Sequence, residues 1–92
     1  MIQSIRHKGL RRLYEDDDPR GVAAEHVVNL RDILVRLDAS VSVADLDVAG
    51  FKLHPLKGDW RGFWAITVRA NWRVIFRFEN GDARDVDYVD YH

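Results

Sequence analysis

The stretch W-R-V-I-F-R-F-E-N-G-D-A-R-D-V-D-Y-V-D-Y-H, Trp72 to His92, decides the fold. In its first seven residues Trp72, Val74, Phe76 and Phe78 alternate with Arg73, Ile75 and Arg77. That is the period of two of a half-buried strand, with a core face and a positively charged face. Asn80-Gly81-Asp82 follows, and Asn-Gly readily takes the positive φ angles of a type I′ hairpin turn. The chain then returns antiparallel over Ala83 to Tyr91, which brings Arg73 and Arg77 beside the strand that ends in Asp90-Tyr91-His92. A disordered tail is poor in aromatic and β-branched residues, whereas Val86 to His92 holds two Tyr and two Val, so this segment reads as structure.

Upstream of this hairpin, Phe51-Lys-Leu-His-Pro-Leu and Phe63 to Arg69 are also rich in aromatic and β-branched residues, which predicts two more strands. Ile2 to Arg6 reads as a short strand, and Leu10, Leu13 and Tyr14 fall at helical spacing within Lys8 to Glu15. Pro19 and Gly21 break that helix. A second helix is predicted from Val22 to Asp38, with Ala23, Val27, Leu30, Leu34 and Leu37 on one stripe and Asp32 and Arg36 paired outside it. Ser42-Val-Ala-Asp45 has capping-box spacing and predicts a single helical turn. The expected fold is α+β, one domain over residues 1–92, with an N-terminal strand and two helices packed on an antiparallel sheet.

Ninety-two residues that are 47% hydrophobic can bury one core without disulfides, and there is no Cys to form them. That composition suits a reducing cytoplasm, and neither a membrane-spanning run nor a signal-peptide pattern is present. The net charge of −1 argues against a strongly basic nucleic-acid binder, but the charge is unevenly spread. Lys52, Lys57, Arg61, Arg69, Arg73 and Arg77 face only Asp59 in the middle of the chain, between acidic flanks. Such a segment can attract phosphate locally on a nearly neutral protein. The acidic cluster Asp16 to Asp18 lacks the Gly and bidentate Glu of a calcium loop and reads as a solvated helix end. His7 and His26 read as surface residues, Trp64 as core and Trp60 as a loop residue exposed for a partner.

Together K-L-H-P-L-K-G-D (Lys52 to Asp59), G-F-W-A-I-T-V-R-A-N-W-R-V-I-F-R-F (Gly62 to Phe78), the closing D-Y-H and the opening I-Q-S-I-R-H-K-G-L resemble the HigB toxins of the RelE/ParE superfamily. The resemblance covers essentially the whole chain and is least specific over Asp16 to Ala49. It implies a compact toxin that enters the ribosomal A site and cuts messenger RNA there, with no metal or other cofactor. The partners it implies are the ribosome, messenger RNA and a helix-turn-helix antitoxin of the HigA type. The active-site positions it implies are His54, Asp90, Tyr91 and His92, with Lys57, Arg73 and Arg77 as RNA- or phosphate-binding companions. Toxins of the superfamily tend to be basic, and this chain, with a pI near 6.4, departs from them in charge.

Metal-free RNA cleavage uses the ribose 2′-hydroxyl as nucleophile and needs a base, an acid and charge stabilisation. Histidine suits either proton-transfer role because its ordinary pKa of about 6.5 lies near working pH. Arginine's fork suits a phosphate in a way that a point charge does not. Taken singly, each of these residues has an ordinary reading: His54 as a packed or edge residue, Arg73 as an ion-pair partner on a sheet face, Tyr91 as packing. Their joint occurrence on adjacent strands, in the pattern that the resemblance supplies, favours a site. Two other functions fit the same fold: a non-nuclease toxin acting on a protein such as DNA gyrase, and a ribosome- or RNA-binding module without catalysis. D-Y-H argues against the first, and a replaceable His92 would mark the second.

Overall fold

The structure, a computed structural model, describes residues 1–91. Helix α1 (Lys8–Asp16) and helix α2 (Val27–Ala39) precede strands β1 (His54–Pro55), β2 (Trp64–Arg69), β3 (Trp72–Glu79) and β4 (Asp82–Asp90). Among the described residues the strands form an antiparallel sheet in chain order, β1-β2-β3-β4. The Asn80-Gly81 turn joins β3 to β4 with both residues at positive φ, 52° and 82°, as a type I′ turn requires. The N-terminal segment makes only two isolated parallel bridges to β4, at Ile2↔Ala83 and Ile5↔Val86, rather than a full strand. The strand expected from Phe51 shortens to His54–Pro55 because Lys52 turns out of extended backbone, at φ 52°.

The helices cover one sheet face. Leu10 and Leu13 of α1 and Leu30, Ile33, Leu34 and Leu37 of α2 join Ile66, Val68, Val74, Phe76, Ala83, Val86 and Tyr88 in the main core. Phe76 is completely buried there, a position where truncation to Ala costs about 3–5 kcal/mol. The second helix begins at Val27 rather than Val22, after 3₁₀ turns at Pro19–Gly21 and Ala24–His26. Gly21 explains the delay: its carbonyl group packs directly against Gly9 of α1, so the chain is still crossing that helix. The turn expected after Ser42 forms at Val43–Leu46, and the Asp45 carboxylate accepts the N–H groups of Val41 and Ser42 at 3.0 and 3.2 Å.

Both histidines expected at the surface are engaged inside. His26 is 3% exposed and its Nδ1 meets the Tyr88 hydroxyl, because the 3₁₀ turn rolls it inward against Trp72 and Tyr88. His7, half-buried, caps α1 by accepting the Leu10 N–H at 3.1 Å and sets its ring edge-to-face on Tyr88. Asp17 and Asp18, where the first helix ends, pair with arginines: Asp17 with Arg31 at 3.0 Å, and Asp18 with Arg20 at 2.9 Å. The Arg20 guanidinium and N–H together hold the Asp18 carboxyl down to about 2. No helix among the described residues is long and apolar enough to cross a membrane.

Candidate active site

The sheet face turned away from the helices is only partly covered. Leu56, Phe63, Ala65 and Ile75 form a small second core there, with Trp60, Val89 and Tyr91 packed around it. Trp60, expected to be exposed, is half-buried edge-to-face on Phe63 at 5.4 Å. Trp64, expected in the core, packs half-buried against the main one.

Register fixes what else this face carries. His54 lies opposite Ala65, Ala65 opposite Ile75, and Ile75 opposite Asp87. In the neighbouring row Arg73 lies between Thr67 and Val89. Tyr91 is one step further on, its N–H donating to the Asn71 carbonyl at 2.8 Å. With strands ~4.8 Å apart and a rise of ~3.3 Å per residue, the backbones at His54 and Arg73 are about 12 Å apart, within reach of two side chains gripping one nucleotide. By alternation along β4, Asp90 leaves the other side of the strand from Val89 and Tyr91, exposed opposite Trp72 at the sheet's end. The six described residues among the seven singled out in the sequence therefore do not meet at a point. Arg73, Asp90 and Tyr91 cluster at the β2–β3 hairpin end, and His54 holds the middle. Lys57, exposed in the β1–β2 connection, and Arg77 stand at the other end. His92 lies outside the described residues.

The side chains differ in how they are held. His54 Nδ1 is 2.8 Å from the Lys52 carbonyl oxygen. Arg73 curls onto its own hairpin, donating from Nη1 to the carbonyls of Ala70 at 2.5 Å and Trp72 at 3.1 Å, while its buried Nε has no partner among the described residues. Arg77 is more occupied: its guanidinium lies 4.6 Å above the Phe63 ring and 3.6 Å from Asp85. Arg6 reaches the same ring and the same carboxylate, at 5.7 and 3.6 Å. Asp85 can serve both because a bulge in β4 puts it at φ 53°. The sequence reading missed Asp85 and Arg6. The signal was present in the spacing of the core residues of β4, three from Ala83 to Val86 and then two to Tyr88.

A partly covered sheet face that carries an imidazole, a phenol and guanidinium groups has the groups needed to hold a phosphodiester and move protons around it. Comparison with known proteins bears on which chemistry this is. The chain is 49% identical over its full length, and that of the relative, to a Proteus vulgaris protein named Endoribonuclease HigB. It is 31% identical over 94 aligned positions to Toxin HigB-1 of Vibrio cholerae, covering 100% of this chain and 98% of that one. Among solved structures it superposes on a YoeB/ParE toxin from Agrobacterium tumefaciens with a TM-score of 0.64 at 22% identity, over 100% of this chain and 99% of that one. A mutant of YafQ from E. coli gives 0.59 at 18%, over 96% and 92%. These last two likenesses speak for the fold alone. The model of the RelE-like toxin of the type II toxin–antitoxin system HigB matches residues 3–92, and the chain therefore belongs to the HigB family of RelE-like toxins.

Proposed function

We propose that this toxin is an endoribonuclease that cuts messenger RNA in the ribosomal A site, without a metal, and so arrests translation in the cytoplasm. The observation that carries the reading is the 49% identity over the full length to a protein named Endoribonuclease HigB. In the proposed reaction a base takes the proton of a ribose 2′-hydroxyl, whose oxygen attacks the adjacent phosphorus. The 5′-oxygen leaves with a proton from the acid. The products are a 2′,3′-cyclic phosphate, or its hydrolysed form, and a 5′-hydroxyl. His92 is the principal acid or base, Asp90 orients it, and His54 or Tyr91 exchanges the other proton. Lys57, Arg73 and Arg77 hold the phosphate, and the Arg73 Nε, buried without an acceptor among the described residues, supports that role because a buried cationic N–H needs one. Tyr91 can also stack on a base.

The partner that restrains the toxin is an antitoxin, as for type II toxins generally, here a helix-turn-helix protein of the HigA type. The test maps the cleavage ends of a defined messenger RNA, with and without ribosomes, for the wild-type chain and His92→Gln. Cuts inside A-site codons that need the ribosome and vanish in the variant are expected. Growth arrest without cuts would overturn the reading in favour of a gyrase-type target. Full cleavage by His92→Gln would remove that residue from the chemistry.

A further inference from the structure

Lys52 sits at φ +52°, a left-handed conformation that costs any residue with a Cβ. The chain is anchored on both sides of it. On one side Phe51 is buried in the main core, its carbonyl accepting the Thr67 N–H at 2.8 Å and its N–H donating to Val48 at 3.2 Å. On the other, His54 is paired opposite Ala65, and the Leu56 N–H donates to Phe63 at 2.9 Å. Leu53, between them, packs against the main core. A residue held at both ends in a disfavoured conformation is a reason to ask what it does. What the Lys52 turn does is aim its carbonyl oxygen at His54 Nδ1, 2.8 Å away.

A carbonyl oxygen can only accept, so Nδ1 must carry the proton. In the neutral ring Nε2 is then the unprotonated nitrogen, and it takes no hydrogen bond among the described residues. The geometry points to Lys52 as a positioning residue: its left-handed backbone fixes His54 in the Nδ1–H tautomer and makes Nε2 a proton acceptor. This rests on the ribonuclease reading above and deepens it. His54 enters as the base that takes the 2′-hydroxyl proton onto Nε2, and a different residue protonates the leaving 5′-oxygen. Once Nε2 is protonated, the same carbonyl stabilises the imidazolium through Nδ1–H. The role belongs to the Lys52 backbone, so it does not depend on the ammonium.

The test reads the His54 ring nitrogens by ¹⁵N NMR in the isolated chain, at a pH where the imidazole is neutral, beside single-turnover cleavage on saturating ribosomes. In the wild type, Nδ1 is expected protonated and Nε2 bare. Lys52→Gly, which accepts positive φ without strain, should keep the tautomer and hold the rate within about threefold. Lys52→Val, which resists positive φ, should mix the tautomers and slow the single-turnover rate about tenfold or more with KM little changed. A wild-type ring protonated on Nε2 would overturn the proposal, and this measurement needs no variant to fold. Loss of rate in Lys52→Gly equal to that in Lys52→Val would overturn it too, by assigning the effect to the ammonium, as would a folded Lys52→Val with unchanged tautomer and rate. If the wild-type chain cuts no messenger RNA, the ribonuclease reading fails by itself, and the tautomer still reports on the Lys52 carbonyl.

Discussion

The Tyr88 hydroxyl and the buried His26 Nδ1 stand 2.5 Å apart, tying β4 to the turn that opens α2. Tyr88→Phe would keep the ring against Trp72 but leave a ring nitrogen of His26 buried without its partner. Such a loss costs about 1–3 kcal/mol and should lower Tm by several degrees in a chain of this size. The pair lies on the helix-covered face, so cleavage per folded molecule should be unchanged. Urea midpoints and single-turnover rates for the variant check both halves.

Stability should fall at both ends of the pH scale, for different groups. Burial first, then the Asp38 carboxylate, pushes the Tyr14 phenol above 10.0, and burial pushes Tyr88 the same way. A raised folded pKa gives stability that is complete below the unfolded value and is lost as pH climbs through the folded one, hence above about pH 10. Asp38 runs opposite. The Ile2 N–H, at 3.0 Å, holds its carboxyl down, aided by the Tyr14 hydroxyl at 2.8 Å. Its contribution is present above the unfolded value and fades as pH falls below about 4. Asp38→Asn should flatten the acid limb of a stability-against-pH curve, and Tyr14→Phe the alkaline limb. An acid limb unaltered in Asp38→Asn would show that other carboxylates, such as Asp45 beneath its two N–H donors, carry it.

Gly9 is predicted to be irreplaceable. A Cβ there would fall 2.0 Å from the Gly21 carbonyl oxygen, and backbone cannot yield as a side-chain tip can. Overpacking of this kind typically costs 1–3 kcal/mol and can cost more, so Gly9→Ala should lose about 3 kcal/mol despite the better helix propensity of Ala. A chemical denaturation curve at or above the wild-type midpoint would refute the close approach of α1 to the Pro19–Gly21 turn.

What was legible in the sequence was whatever depends on period and local turn chemistry. The two faces of β3, the Asn80-Gly81 hairpin, the α2 stripe and the turn after Ser42 all came from short-range patterns. His26 was not legible, because its burial is set by a partner 62 residues away, Tyr88. Lys52 and Asp85 escaped for a related reason: each takes positive φ under tertiary constraint, with no Gly or Asn to announce it. Of the candidate site, alternation made readable which side of β3 carries Arg73 and Arg77. The spread along that face was not, because it depends on where the β1–β2 connection turns.

The role of Arg73 can be separated from the stability of its hairpin. Its Nη1 bonds go to carbonyls near the surface, which water can satisfy, and its buried Nε satisfies nothing among the described residues. Truncation therefore removes an unmet donor as well as two bonds, and Arg73→Ala should change folding stability by less than about 1 kcal/mol. If the guanidinium stabilises charge growing on the phosphate, the same variant should lose about 10²–10³ in single-turnover cleavage, the size expected for one preorganised donor. Arg73→Lys should recover only part of that, since an ammonium lacks the planar fork that meets two phosphate oxygens at once. A large loss of stability with a proportionate loss of rate would instead make Arg73 a brace for the Ala70–Trp72 turn. The hairpin would then serve the site only by placing Asn71 against Tyr91.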